Sequence, residues 1–226
     1  FKGIDCSALI QICLNFNIED YLCISEQSIF DFFKVCGMDT GDRAVKALKI
    51  FFKYKGYNYN TTFKELYEIT GKKLVITGTN LTTNKLEYFN YETQPDMSVI
   101  LAVRISICIP CYFKPVIYKG SMYIDGGVLG NFPINYLTDD ELKETIGMYT
   151  FEENEQLDIE DNIINYILTI YKTIQREDNF RYGYMIKFKP GLGGLEFGVS
   201  SEKKKEYFKI GEDITLKYIA NNLLEI

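Results

Sequence analysis

Residues 121–133 read Ser-Met-Tyr-Ile-Asp-Gly-Gly-Val-Leu-Gly-Asn-Phe-Pro, and this stretch says more about the fold than any other. Its apolar run, 122–124, predicts a strand that ends in one carboxylate, Asp125. Gly126 and Gly127 tolerate backbone angles that other residues avoid, so a sharp turn is expected after the strand. That arrangement holds a carboxylate at the rim of a sheet. An ordinary hairpin turn also explains the Asp-Gly pair, and these residues alone favour it.

Histidine is absent from all 226 residues, which excludes several kinds of catalytic site. No Ser-His-Asp or Cys-His relay can form within this chain, and metal sites that depend on imidazole are excluded as well. A dyad in which a carboxylate accepts the serine proton directly stays possible. Because an ordinary Asp has a pKa of about 3.9 and is a weak base, such a site has to be partly desolvated.

Length and composition predict a single enzyme-sized domain over residues 1–226, since 46% of the residues are hydrophobic. The net charge of −6 argues against nucleic acid as a partner and against strong attraction to anionic lipid.

No apolar run approaches the roughly 18 residues that cross a bilayer, and no signal peptide is seen. We therefore expect an intracellular protein, cytoplasmic or peripheral at a membrane. The chain begins with Phe rather than Met, which leaves room for an upstream segment.

The six cysteines are interpreted as reduced, structural residues, because most lie in apolar surroundings. Cys108 and Cys111 have the spacing of a redox motif, but no second pair and no histidine accompanies them. The acidic run 138–161 lacks the residue order of a calcium-binding loop and predicts a solvated loop. No metal site and no cofactor are predicted.

Three motifs resemble those of the patatin-like phospholipases, in the family's order and spacing. They are Leu-Val-Ile-Thr-Gly-Thr-Asn-Leu-Thr-Thr-Asn-Lys-Leu-Glu-Tyr-Phe at 74–89, Val-Arg-Ile-Ser-Ile-Cys-Ile-Pro-Cys-Tyr-Phe-Lys-Pro-Val at 103–116 and Tyr-Ile-Asp-Gly-Gly-Val-Leu-Gly-Asn-Phe-Pro-Ile at 123–134. The family's forms are "TxTNL…G.L.YF", "VRASSAIPGFFPPV" and "YVDGGVLNNFPV". The match is specific over residues 62–137, partial before them and weak after them.

The resemblance implies an α/β fold of three layers, α/β/α, around a central, mainly parallel sheet. It also implies a lipid acyl hydrolase that cleaves esters in the manner of a phospholipase A, with a Ser–Asp dyad in which Asp125 is the Asp. The substrate would be a phospholipid or another acyl-ester lipid, met at a membrane surface, and no cofactor would be needed.

One departure from the family affects the nucleophile. Gly3-Ile-Asp5-Cys-Ser7 stands where the family has its elbow, Gly-x-Ser-x-Gly, whose small residues permit a strained turn. Gly3 and Ser7 meet that need, but Asp5 replaces the serine. Attack by a carboxylate on an ester would give a mixed anhydride, a poor intermediate. Asp5 and Asp125 facing each other as like charges would raise the pKa of one of them.

A second departure is the absence of the family's glycine-rich oxyanion loop and first strand, of which Phe1-Lys2-Gly3 would be a remnant. Two hypotheses therefore stay open. The chain is either a lipid acyl hydrolase whose missing parts are altered or lie outside this stretch, or a non-catalytic relative that binds lipid or a protein partner in the same cleft.

Periodicity and capping signals predict the remaining elements. A capping box is predicted at Thr62 and Glu65, and Arg104 is interpreted as a structural tether. The aromatic stretch 50–59 either lines a lipid cleft or combines core residues with a tyrosine-rich surface, and the second interpretation is favoured. Helices are expected over 6–16 (buried), 26–33, 43–53, from 62 to Gly71, and over 96–104, 162–176 and 200–221, with strands over 74–77 and 184–189 and loops over 37–41 and 190–194.

Overall fold

The computed structural model describes residues 5–17, 20, 26–150, 184–188 and 199–222. Its helices are α1 (Cys6–Asn15), α2 (Glu26–Val35), α3 (Asp42–Tyr54), α4 (Phe63–Thr70), α5 (Val99–Ser106), α6 (Gly127–Gly130), α7 (Asp139–Lys143) and α8 (Ser201–Asn222), with a 3-10 turn at Ile134–Tyr136. Its strands are β1 (Gly37–Asp39), β2 (Ile76–Asn80), β3 (Lys85–Phe89), β4 (Cys111–Phe113), β5 (Val116–Tyr118), β6 (Ser121–Asp125), β7 (Gly147–Thr150) and β8 (Met185–Phe188).

The contacts divide the described residues into two compact units. The first, which we call the sheet unit, contains residues 26–133. The second, the terminal unit, contains residues 5–17, 20, 134–150, 184–188 and 199–222.

The sheet unit is built around a four-stranded sheet in the order β3-β2-β6-β5, in which every neighbouring pair is antiparallel. Short connections explain this pairing. Lys119 and Gly120, with φ of 47° and 79°, link β5 to β6 as a two-residue hairpin turn, which only antiparallel strands allow. β1 and β4 pair in parallel beside it, as do β7 and β8 in the terminal unit. The α/β fold class is therefore confirmed, with parallel pairing among the described strands confined to these two pairs.

The core of the sheet unit lies where α5 packs on β2 and β6. Phe89 and Ile105 are fully buried there, and burying each such side chain stabilises the fold by about 1.5–3 kcal/mol. Gly78 in β2 makes this packing possible. A Cβ at position 78 would lie 2.6 Å from Ile105 Cγ2 and 2.7 Å from Phe89 Cε2.

Local signals set the ends of α4 as the sequence predicts. The Thr62 hydroxyl accepts a hydrogen bond from the Glu65 amide, and the Glu65 carboxylate accepts one from the Thr62 amide. The capping box is confirmed. Gly71 ends the helix in the left-handed conformation, with φ of 65°, which glycine adopts without strain.

In the terminal unit, α8 packs on β8 and α1 lies along α8. Lys204 Nζ joins the two helices by donating to Phe16 O at 2.7 Å and to Asn17 Oδ1 at 2.8 Å. The predicted burial of α1 is wrong, because Leu9 is 46% exposed and no residue of the helix is buried. The apolar side chains of α1 project from all sides of the helix, so a contact along one side leaves the apolar side chains of the other sides exposed to solvent.

Further differences concern element boundaries. The predicted loop at 37–41 contains the strand β1, a stretch too short to carry a periodic signal. Strand β2 begins at Ile76 rather than 74, and α5 begins at Val99 rather than 96 because Ser98 first pairs with Thr62 in an isolated bridge. The helix expected at 162–176 and the loop at 190–194 lie outside the described residues.

Candidate active site at the end of strand β6

Asp125 is the last residue of β6, and three backbone contacts fix its position. It pairs with Gly78 of β2, and its N–H donates to Cys108 O at 2.9 Å. Its carboxylate oxygen Oδ1 accepts the Gly127 N–H at 2.8 Å. The main chain on either side therefore holds this carboxylate in one position.

Burial raises the pKa of Asp125 to about 6, while the hydrogen bond from Gly127 acts in the opposite direction. Removing water from a carboxylate disfavours its charged form. At Asp125 the effect of this lost hydration on the pKa is larger than the effect of the single N–H donor. A carboxyl with a pKa of about 6 is largely ionised at neutral pH, and it is a stronger base than an ordinary Asp. The partial desolvation that the sequence requires of a carboxylate base is present at this residue.

Gly126 and Gly127 carry the chain from β6 directly into α6, so the alternative of a hairpin turn at Asp-Gly is wrong. Gly126 is needed for space rather than for a positive φ, since its φ of −63° and ψ of −29° are helical. A Cβ there would lie 2.3 Å from Thr77 Oγ1 and 2.7 Å from the Thr77 carbonyl carbon. The glycine lets the turn after Asp125 press against β2.

Cys108 and Arg104 support the loop that precedes this site. Cys108 is fully buried, and burial raises the pKa of its thiol, which favours the neutral form. Arg104 Nη2 donates to Thr40 O at 2.8 Å and to Lys114 O at 2.9 Å, and its guanidinium lies over the Phe113 ring. The interpretation of Arg104 as a structural tether is confirmed.

A polar cluster on three neighbouring strands of the sheet explains the Asn of the "TxTNL" motif, whose role the sequence does not indicate. Asn80 is 2% exposed, and its Nδ2 donates to Glu87 Oε1 at 2.7 Å and to Tyr123 Oη at 3.2 Å. Tyr123 Oη donates to Glu87 Oε2 at 2.9 Å. Burial, together with Glu87, raises the pKa of Tyr123 to about 12, so the phenol stays protonated. The cluster joins β2, β3 and β6, the strand that ends at Asp125.

Asp5, in the terminal unit, is the N-cap of α1. Its carboxylate accepts the Ser7 amide at 3.4 Å and also the Ser7 hydroxyl. The hydroxyl and amide hydrogen bonds from Ser7 lower the pKa of Asp5. The residue in the serine's place is thus an ionised helix cap. Gly3 lies outside the described residues. Asp5 and Asp125 belong to different units, and their meeting in one site stays a prediction.

Among the residues that the structure describes, no group of three or more Cys, Asp or Glu is arranged to hold a metal ion. Over the same residues, none of the helices has both the length and the apolar character that crossing a bilayer requires.

The sequence profile of the patatin-like phospholipases matches residues 4–138, which is more than half of the chain. This chain therefore belongs to the patatin-like phospholipase family.

Individual relatives occur in viruses and bacteria. The chain is 39% identical over 99 residues to the "probable lipid hydrolase 463L" of Invertebrate iridescent virus 6, an alignment that covers 44% of this chain and 34% of that protein. It is 26% identical over 224 residues to the uncharacterized protein R571 of Acanthamoeba polyphaga mimivirus, covering 92% and 74% respectively. It is 30% identical over 137 residues to the uncharacterized protein YqhO of Bacillus subtilis, covering 54% and 47%.

The chain thus spans about a third of the length of the iridescent virus protein. The crystal structure of VipD from Legionella pneumophila superposes with a TM-score of 0.49 at 18% identity, over 74% of this chain and 37% of VipD.

Proposed function

We propose that this chain is a lipid acyl hydrolase domain, which cleaves an acyl ester of a phospholipid or related lipid with Asp125 as the general base. The observation that supports this role is the desolvated, backbone-held carboxylate of Asp125, whose pKa is raised to about 6. The iridescent virus relative is named a probable lipid hydrolase, which supports the same class of substrate.

In this proposal the Asp125 carboxylate removes the proton from a hydroxyl as its oxygen attacks the acyl carbonyl carbon. The ester C–O bond then breaks, and the proton passes to the leaving alcohol. Within the family motif that hydroxyl belongs to a serine at position 5, and water then cleaves the acyl-serine ester to release the acid. Asp5 has no hydroxyl, and losing a catalytic serine costs on the order of 10⁶ in turnover elsewhere. We therefore expect this chain to be impaired, with water as the slow attacking group.

A second candidate function is lipid or partner-protein binding without turnover. The observation that favours it is the state of Asp5, whose carboxylate is occupied by the Ser7 amide and hydroxyl at the start of α1. A carboxylate committed to a helix N-terminus is stabilised as an anion and makes a weak nucleophile. A domain of this kind would keep the cleft of the family and lose its chemistry.

Hydrolysis of a fluorogenic acyl ester and of a phospholipid distinguishes the two candidates. We expect slow turnover that rises with pH through about 6, because the Asp125 carboxylate has to be ionised to accept a proton. Asp125→Asn keeps the shape of the side chain and should abolish this turnover. Turnover that survives Asp125→Asn would reject the mechanism. Lipid binding with no turnover by the native chain would support the second function, and the absence of both would contradict both.

A further inference from the structure

Helix α3 and the loop after it carry an unusual concentration of positive charge. Between residues 43 and 64 the chain has six basic residues and no acidic one, although its overall charge is −6. The six are Arg43, Lys46, Lys49, Lys53, Lys55 and Lys64. This local excess runs against the average of the chain.

The geometry of α3 separates these charges from the core. Phe52 packs against the core cluster of the sheet unit, so this side of α3 faces inward. Val45 and Leu48, on the side of Phe52, are partly buried, whereas Lys46, Lys49 and Lys53 are exposed and follow one another at helical spacing along the solvent side. Two large side chains share that side, with Ile50 70% exposed and Tyr54 77% exposed. We call Lys46, Lys49, Ile50, Lys53 and Tyr54 the basic face.

The charges of the basic face are available to a partner. Within the described part of the chain, no carboxylate forms an ion pair with Lys46, Lys49 or Lys53, whereas Lys73 and Lys143 have one each and Lys209 has two. Two ammonium groups of this region, one on the basic face and one just after α3, lie beside aromatic rings. Lys49 Nζ is 5.2 Å from the centre of the Tyr59 ring, and Lys55 Nζ is 5.2 Å from that of Tyr54.

Lysines that alternate with exposed aromatic and aliphatic side chains fit the interface of an anionic bilayer. Long aliphatic stems and a tyrosine ring lie at headgroup depth, while ammonium groups contact phosphate and carboxylate. We infer that the basic face of α3 docks this protein on an anionic phospholipid surface. This inference extends the proposed function, because it states how the chain reaches a lipid, but docking does not depend on turnover.

Vesicle flotation of the full chain tests the inference. One set of vesicles is phosphatidylcholine alone, and the other contains about 30% phosphatidylserine as an anionic lipid. The charge variant is Lys46→Gln/Lys49→Gln/Lys53→Gln, and the apolar variant is Ile50→Ser/Tyr54→Ser. The matched control, Lys72→Gln/Lys85→Gln/Lys205→Gln, removes the same charge from exposed lysines elsewhere.

We expect the native chain and the control to float with the anionic vesicles. The charge variant should bind them on the order of 100-fold more weakly, given the usual contribution of three lysines near an anionic surface. The apolar variant should also bind the anionic vesicles more weakly, because Ile50 and Tyr54 no longer enter the interface. Circular dichroism should match the native spectrum, because every changed side chain is exposed.

Equal binding by the native chain and the charge variant would overturn the inference, as would equal losses in the charge variant and the control. Binding of single-stranded RNA in place of vesicles would also overturn it and would assign the basic face to nucleic acid. Turnover of a soluble, monomeric ester is measured in parallel. Flotation without that turnover would reject only the hydrolase proposal, and turnover without flotation would reject only the docking surface.

Discussion

The raised pKa that makes Asp125 a stronger base also lowers the stability of the folded protein at neutral pH. Its folded pKa of about 6 lies above the ordinary value of 3.8, so between these values the folded state binds the proton more tightly than the unfolded state does. The free energy of unfolding therefore falls as pH rises through this window. A shift of this size corresponds to an upper limit of about 3 kcal/mol at neutral pH.

Replacing this carboxylate with an amide should recover that stability. We predict that Asp125→Asn raises the free energy of unfolding by roughly 1–3 kcal/mol at pH 8 and leaves it nearly unchanged at pH 4. Urea unfolding at the two pH values measures the difference. The exposed Asp96→Asn removes the same charge as a control and should change little at either pH. A loss of stability at pH 8 in Asp125→Asn would contradict the desolvated state of Asp125.

Gly126 should not tolerate even a methyl group. We predict that Gly126→Ala destabilises the protein by roughly 1–3 kcal/mol, because the added Cβ overlaps both the side chain and the main chain of Thr77. Gly211→Ala makes the same chemical change in the interior of α8, where the nearest atom is 3.8 Å away. It should stabilise by about 0.5–1 kcal/mol. Thermal unfolding compares the two, and equal effects would refute the packing argument.

At the scale of elements, the cluster of Asn80, Glu87 and Tyr123 ties three strands together. We predict that Asn80→Ala costs roughly 2–4 kcal/mol, because it removes the partner of a part-buried carboxylate and the oxygen that accepts the Thr82 and Thr83 amides. Asn58 accepts an amide in a similar turn but is exposed, so Asn58→Ala should cost less than about 1 kcal/mol. Denaturant unfolding measures both. Similar costs would show that burial of the cluster contributes nothing.

Elements with strong local signals were predictable from the sequence. The strand that ends at Asp125, the capping box at Thr62 and the helices α2, α3 and α8 are confirmed, because apolar periodicity and side-chain caps act over a few residues. The strand β1 was missed because three residues carry no period. The need for Gly126 was misattributed to backbone conformation, since its close approach to Thr77 depends on strand pairing that no local pattern encodes.

At the scale of the whole molecule, the net charge does not show how charge is distributed along the chain. The net charge of −6 argued against attraction to anionic lipid, yet the lysines of the basic face lie together on one helix. Electrostatic attraction to a surface acts within about one Debye length, roughly 8–10 Å, so a local cluster can outweigh the overall sign. The same limitation applies to the candidate site. The sequence predicts a site that includes Asp5 and Asp125, and this stays a prediction because residues 5 and 125 belong to separate compact units.

The central proposal is that Asp125 acts as the general base for a nucleophile at position 5, and restoring a serine there tests it most directly. Ser caps a helix about as well as Asp, so Asp5→Ser should keep α1 intact, and Asp5→Asn keeps the cap without supplying a hydroxyl. Turnover of a fluorogenic acyl ester is measured for each. We predict a gain of roughly tenfold or more in Asp5→Ser, none in Asp5→Asn, and loss of the gain in Asp5→Ser/Asp125→Asn. A gain that persists without the Asp125 carboxylate, or no gain in a folded Asp5→Ser protein, would contradict the account.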